Sequence, residues 1–111
     1  MATALARGFL AAGVATPEHV AACDVSLDAG GRFTEQTGAT MGANSAEVLS
    51  RAEVIFLAVK PQHMSGVLSD LRPHLKPEHL IVSIAAGVSL TKMLEGLGTT
   101  ARLIRVMPNT P

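Results

Sequence analysis

The chain has 111 residues, 48% of them hydrophobic and 16% charged, and its formal net charge is zero. That is enough apolar material for one packed domain. With no basic cluster, it argues against nucleic acid or an anionic membrane surface as a partner. The single cysteine, Cys23, rules out an internal disulfide, and no apolar run approaches the roughly 20 residues of a membrane helix.

A single cysteine fits a reducing compartment, so a cytoplasmic setting is expected. Met1 to Gly8 carries one arginine and lacks an apolar core with a cleavage site, so it is not read as a signal peptide. Its Ala-rich, acid-free composition has a loose likeness to organelle transit sequences. His19, His63, His74 and His79 have no ligand spacing with one another or with Cys23, and they read as surface side chains; no metal is expected. Cys23 reads as a small buried filler.

Taken in order, Ala2, Leu5, Ala6 and Phe9 fall at helical spacing, and Gly13 ends that helix. After the Thr16-Pro17 turn, His19 to Cys23 reads as a short strand. Ser26 to Gly38 is polar and contains Gly30-Gly31, yet it reads as a helix. Ala39 to Met41 reads as an edge strand. Asn44-Ser45-Ala46-Glu47 resembles a capping box and opens a helix through about Arg51.

Val54 to Val59 is a run of six apolar residues, stopped by Lys60-Pro61. So short a continuous run predicts a strand buried on both faces, as in parallel sheets. Proline cannot donate to a ladder and suits the first turn of a helix. Met64, Val67, Leu68 and Leu71 then mark a helix that ends before Pro73. Leu80 to Ile84 reads as a second buried strand, followed by Ala85-Ala86-Gly87, small residues that let another group approach the backbone. Ser89 caps a helix with the face Leu90, Met93, Leu94 and Leu97, and Gly98 stops it. Leu103 to Met107 is the last strand. Alternation of helix and strand throughout predicts an α/β domain with a mostly parallel sheet. Ligands of such sheets bind at the carboxyl ends of the strands, where Lys60-Pro61 and Ala85-Ala86-Gly87 lie.

Three stretches carry a resemblance: Phe56-Leu57-Ala58-Val59-Lys60-Pro61, Ser83-Ile84-Ala85-Ala86-Gly87-Val88-Ser89, and Arg105-Val106-Met107-Pro108-Asn109-Thr110-Pro111. In register and at matching spacing, they resemble the amino-terminal domain of pyrroline-5-carboxylate reductase along the whole chain. The resemblance implies a Rossmann fold binding NADH or NADPH, with hydride transfer to the carbon–nitrogen double bond of 1-pyrroline-5-carboxylate to give proline. It implies that Ala58, Val59, Lys60 and Pro61 pack around the cofactor's ribose and phosphates. Ala85, Ala86 and Gly87 would line the nicotinamide side, and Asn109 and Thr110 would lie near ring and substrate. It names no catalytic side chain and no metal, and it implies a homo-oligomer for the full-length form.

The departures are equally specific. The family opens with a strand and a G-x-G-x-M-A loop, of which Met1-Ala2 matches only the end. The family's helical dimerisation domain has no counterpart here. Residues 1–111 therefore read as a partial Rossmann domain, with the first strand of the order 3-2-1-4-5-6 missing from the sheet's middle. Asp24, at the end of the second strand, reads as a solvated loop acid or as the acid that bonds the ribose hydroxyls and repels the extra phosphate of NADP. Asn44 reads as a helix cap that can also touch the cofactor. Lys60 and Gly87 have the plainer readings of a strand-closing charge and a turn glycine. Two rival functions stay open: a non-catalytic fragment acting at most as an interaction module, and a related reductase of other imines or of 2-oxo acids.

Overall fold

The computed structural model describes residues 2–23, 27–98 and 101–106. The chain divides into two compact units, Met1–Arg51 and Ala52–Pro111.

The first unit contains helix α1 (Ala2–Ala11), strand β1 (Ala21–Ala22), helix α2 (Leu27–Thr37), strand β2 (Thr40–Met41) and helix α3 (Ser45–Arg51). β1 and β2 pair in parallel, Ala21 with Thr40 and Ala22 with Met41. One core cluster joins Ala6, Phe33 and Ala39, with Val20, Ala22 and Met41 packed against them, and Leu49 of α3 is buried as well. Polar contacts close the helix ends. The buried Thr37 hydroxyl donates to the Phe33 carbonyl at 2.7 Å and accepts from the Ala39 N–H at 3.1 Å, which turns the chain out of α2 and into β2. Asn44 Oδ1 accepts from the Glu47 N–H at 3.0 Å, while Glu47 Oε2 accepts from the Ala43 N–H at 3.1 Å. This is the expected capping box, its return bond shifted by one residue.

The second unit holds strands β3 (Val54–Leu57), β4 (Leu80–Ser83) and β5 (Arg102–Arg105), with helices α4 (Met64–Leu71) and α5 (Leu90–Leu97) between them. The strands are parallel in the order β3-β4-β5, so that Val54, Leu80 and Arg102 share one level and Leu57, Ser83 and Arg105 another. Ile55, Leu57, Ile81 and Ser83 form the buried face. α4 packs on α5 and α5 on β5, and these helices add Met64, Leu68, Leu71, Met93 and Leu97 to the core. The close approach of α4 and α5 requires Gly96, where a Cβ would lie 2.7 Å from Leu68 Cδ1. Ser89 caps α5 as expected, its Oγ accepting from the Lys92 N–H at 3.2 Å.

Several expectations are corrected. The apolar run at Val54 is buried on one face only: Val54 and Phe56 are exposed, as is Ile104 on β5. The reason is that α4 and α5 cover the face carrying Ile55 and Leu57, and among the described residues no element of this unit covers the other. The strand expected from His19 shortens to Ala21–Ala22, because Pro17–His19 forms a 3-10 turn with proline at its first position. Cys23 is exposed, not a buried filler. Leu90 is exposed, so α5 buries Met93 and Leu97 from the expected face.

His79 is buried rather than on the surface. Its N–H donates to the Lys76 carbonyl at 3.0 Å, and its Nδ1 accepts from the Lys76 N–H at 2.9 Å, closing the turn into β4. A backbone N–H can only donate, so Nδ1 must present its lone pair there. Among the described residues, no helix is long and apolar enough to cross a membrane.

Candidate cofactor-binding site

The site builds from the sheet of the second unit. Because its strands run parallel, their carboxyl ends open on one edge. Leu57 and Ser83 are register partners, so the segments leaving β3 and β4 start side by side, about 4.8 Å apart. The ladder continues one step further, with the Ile84 N–H donating to the Leu57 carbonyl at 3.1 Å.

After β3, Ala58 and Val59 are half-buried, and Lys60 and Pro61 are exposed. Lys60 is extended (φ −69°, ψ 149°) and precedes a 3-10 turn, Pro61–His63, in which its carbonyl accepts the His63 N–H at 2.9 Å. Its side chain makes no capping bond. After β4, Ala85 is buried and its N–H donates to Ser83 Oγ at 3.3 Å. Ala86 and Gly87 are exposed, and buried Val88 anchors the far side of the loop. Gly87 has φ +75°, which a side chain would strain, although a Cβ there would meet no atom within 4 Å. Among the described residues, the N–H groups of Ala86 and Gly87 donate to no backbone carbonyl.

The structure thus brings Ala58 to Pro61 and Ala85 to Gly87 to one sheet edge. Asn44 belongs to the other unit, where it is exposed and engaged as the cap of α3. Asp24, Asn109 and Thr110 lie outside the described residues. Arg105 entered the sequence reading only as a motif letter. It stands on the level of Leu57 and Ser83, half-buried, with its Nε buried and unpaired. A charge inside the last strand, two residues before its expected end at Met107, is the signal that could have singled it out.

Residues 1–87 match the family model described as NADP oxidoreductase, coenzyme F420-dependent. The chain belongs to this family. It is 38% identical over 109 residues to the pyrroline-5-carboxylate reductase of Methanosarcina acetivorans, covering 98% of this chain and 40% of that protein. It is also 38% identical over 111 residues to the Escherichia coli reductase, covering 100% and 41%. A pyrroline-5-carboxylate reductase structure from Coxiella burnetii superposes with a TM-score of 0.86 at 31% identity, over 98% of this chain and 41% of that one. The Plasmodium falciparum pyrroline carboxylate reductase with NADP bound superposes at 0.83 with 28% identity, over 98% and 38%. A prephenate dehydrogenase from A. aeolicus, 10% identical with a TM-score of 0.76, shares the fold alone.

The resemblance to pyrroline-5-carboxylate reductase read from the three motifs therefore holds, as does the Rossmann-type α/β fold. The chain spans about two-fifths of the length of the curated relatives it matches. NAD(P)H is the cofactor class that the family description and the NADP-bound relative support. The second unit fits part of such a molecule. Its loop after β4 is poor in side chains, the N–H groups of Ala86 and Gly87 donate to no backbone carbonyl among the described residues, and Lys60 is exposed on the segment leaving β3.

Proposed function

We propose that this chain is the cofactor-binding part of an NAD(P)H-dependent reductase that converts 1-pyrroline-5-carboxylate to L-proline. The observation that carries this reading is the pair of adjacent strand-end segments, small and open, at the very motifs that resemble the reductases. When bound, NAD(P)H supplies the hydride. Ala58, Val59, Lys60 and Pro61 pack against its ribose and phosphates. Ala85, Ala86 and Gly87 line the nicotinamide side, the free N–H groups of the last two holding oxygen atoms of the ligand. Asn109 and Thr110 stand near ring and substrate. Asn44 contributes from its capping loop, and Asp24 holds the ribose hydroxyls. A carboxylate there favours NADH, so Asp24→Ser shifts the preference toward NADPH; an unchanged ratio of the two dissociation constants removes Asp24 from the ribose site.

The reductase acts in the cytoplasm as a homo-oligomer, and the catalytic work belongs to a protein of the relatives' full length. The 111 residues alone bind dinucleotide weakly and do not turn over substrate. The sheet supports this: β3 pairs with β4 and β1 with β2, leaving each with one further edge that no described strand fills. Unpaired strand edges invite association with other chains, so an interaction module is the role open to the isolated chain.

The test is a chimera in which these residues replace the matching segment of the Escherichia coli enzyme, assayed beside the isolated chain. NADH or NADPH oxidation that depends on 1-pyrroline-5-carboxylate supports the proposal. Oxidation only with other imines or 2-oxo acids assigns the chain to a related reductase. A folded chimera that binds neither dinucleotide overturns the reading.

A further inference from the structure

Arg105 holds a donor that no described residue uses. Its Nε is buried and has no hydrogen-bond partner among the described residues. A buried donor of a charged group is costly to leave without an acceptor. The contrast with Arg102, three residues earlier on β5, is direct: that side chain donates to the Glu78 carbonyl at 3.4 Å.

The position limits what can answer Arg105. It is level with Ser83 and Leu57 at the carboxyl end of the sheet, beside the loop of Ala86 and Gly87. Ser83 is already engaged, its carbonyl accepting from the Val106 N–H at 2.8 Å and its Oγ from the Ala85 N–H. Glu53 and Glu78 precede β3 and β4 at the opposite end of the strands, four and five residues before the level of Arg105, about 13 Å or more at 3.3 Å per residue. Asp70 and Glu95 are exposed on α4 and α5. No carboxylate among the described residues of this unit stands at the strand ends, where the ligand is proposed to bind.

We propose that Arg105 reads an oxyanion of that ligand, taking a carboxylate or phosphate group side-on through Nε–H and one terminal N–H. Planar guanidinium and planar carboxylate match in this geometry, and the bond is charge-assisted. Arg105 is only half-buried, so an incoming anion meets its terminal nitrogens first, and a small side-chain rotation brings Nε–H to the second oxygen. The neighbouring N–H groups of Ala86 and Gly87 belong to the loop proposed to line the nicotinamide side of the cofactor, so the oxyanion is either the substrate's carboxylate or a phosphate of that cofactor. The inference rests on the strand ends being a ligand site, and it adds the residue that recognises the ligand's charge.

Two measurements test it. The first follows the Nε–H resonance of Arg105, assigned by its absence from Arg105→Lys, in this chain and in the Escherichia coli chimera during titration with L-proline, inorganic phosphate and NADPH. A saturable shift with proline supports a substrate carboxylate as the partner; a shift with phosphate and NADPH but not proline supports a cofactor phosphate. The second compares Arg105→Lys and Arg105→Met in the chimera. Losing a hydrogen bond to a charged group raises the KM for 1-pyrroline-5-carboxylate or the Kd for NADPH about tenfold or more, with kcat changed less. Arg105→Lys keeps the charge without the fork and decides the matter if Arg105→Met fails to fold. A resonance unmoved by all three titrants, or parental KM and Kd in Arg105→Lys, overturns the proposal. The titration needs no turnover, so a shifting resonance in a protein without reductase activity would separate this inference from the proposed reaction.

Discussion

The two units solve the same problem with different means. In Ala52–Pro111, three four-residue strands present Ile55, Leu57 and Ile81 to two helices that bury Met64, Leu68, Leu71, Met93 and Leu97. In Met1–Arg51, two-residue strands accompany a smaller buried set, Ala6, Phe33, Ala39 and Leu49, and side-chain caps such as Thr37 and Asn44 complete the helix ends. Apolar burial scales with area and is contributed by many residues at once. A cap acts on one backbone group and is worth about 1 kcal/mol. By the measure of apolar burial the second unit is the better packed of the two, with more large apolar side chains buried.

The largest effect should come from the packed core. Met93 is fully buried on α5, and Met93→Ala should cost about 2–5 kcal/mol, read from a denaturant melt. A loss below about 1 kcal/mol would show that the second unit is not the better-packed one. Next is the buried turn before β4. His79→Ala leaves the Lys76 N–H without its acceptor and should cost about 1–3 kcal/mol. A neutral outcome in the same melt would mean that water replaces the ring at no loss.

Asn44→Ala tests the other unit. Removing the Oδ1 that accepts from the Glu47 N–H should cost about 1 kcal/mol. Amide exchange should speed up at the start of α3 and stay unchanged at Ile81 and Val82; equal acceleration in both units would dissolve the contrast between them. The smallest stability effect belongs to Lys60. It is exposed and makes no capping bond, so Lys60→Ala should alter stability by no more than about 0.5 kcal/mol while weakening NADPH binding in the chimera. A large stability loss with normal affinity would make Lys60 a structural residue.

Much of the fold was legible because its signals are local. The spacing of Met64, Leu68 and Leu71, the cap at Ser89, the Asn44-to-Glu47 box and the turn opened by Pro61 each depend on residues within a turn or two, and each appears where expected, although β3 ends at Leu57, two residues short of the expected Val59. The site was legible to a lesser degree. Ala58 to Pro61 and Ala85 to Gly87 could be placed at strand ends, but their adjacency follows only from the register of β3 on β4.

The chain's own pattern determined which segments are helix and which are strand, and the motifs determined the family, because both are written in short-range order. Tertiary structure alone decided which apolar faces are covered. Val54 and Ile55 look alike in the sequence, yet one is exposed and the other buried, since burial depends on which helix lies across a strand and on which side. The same holds for polar groups. His79 and His74 differ only in what surrounds them, one buried in a closed turn and the other exposed. Arg105 became conspicuous only once β5 lay against β4 and carried its Nε out of reach of water.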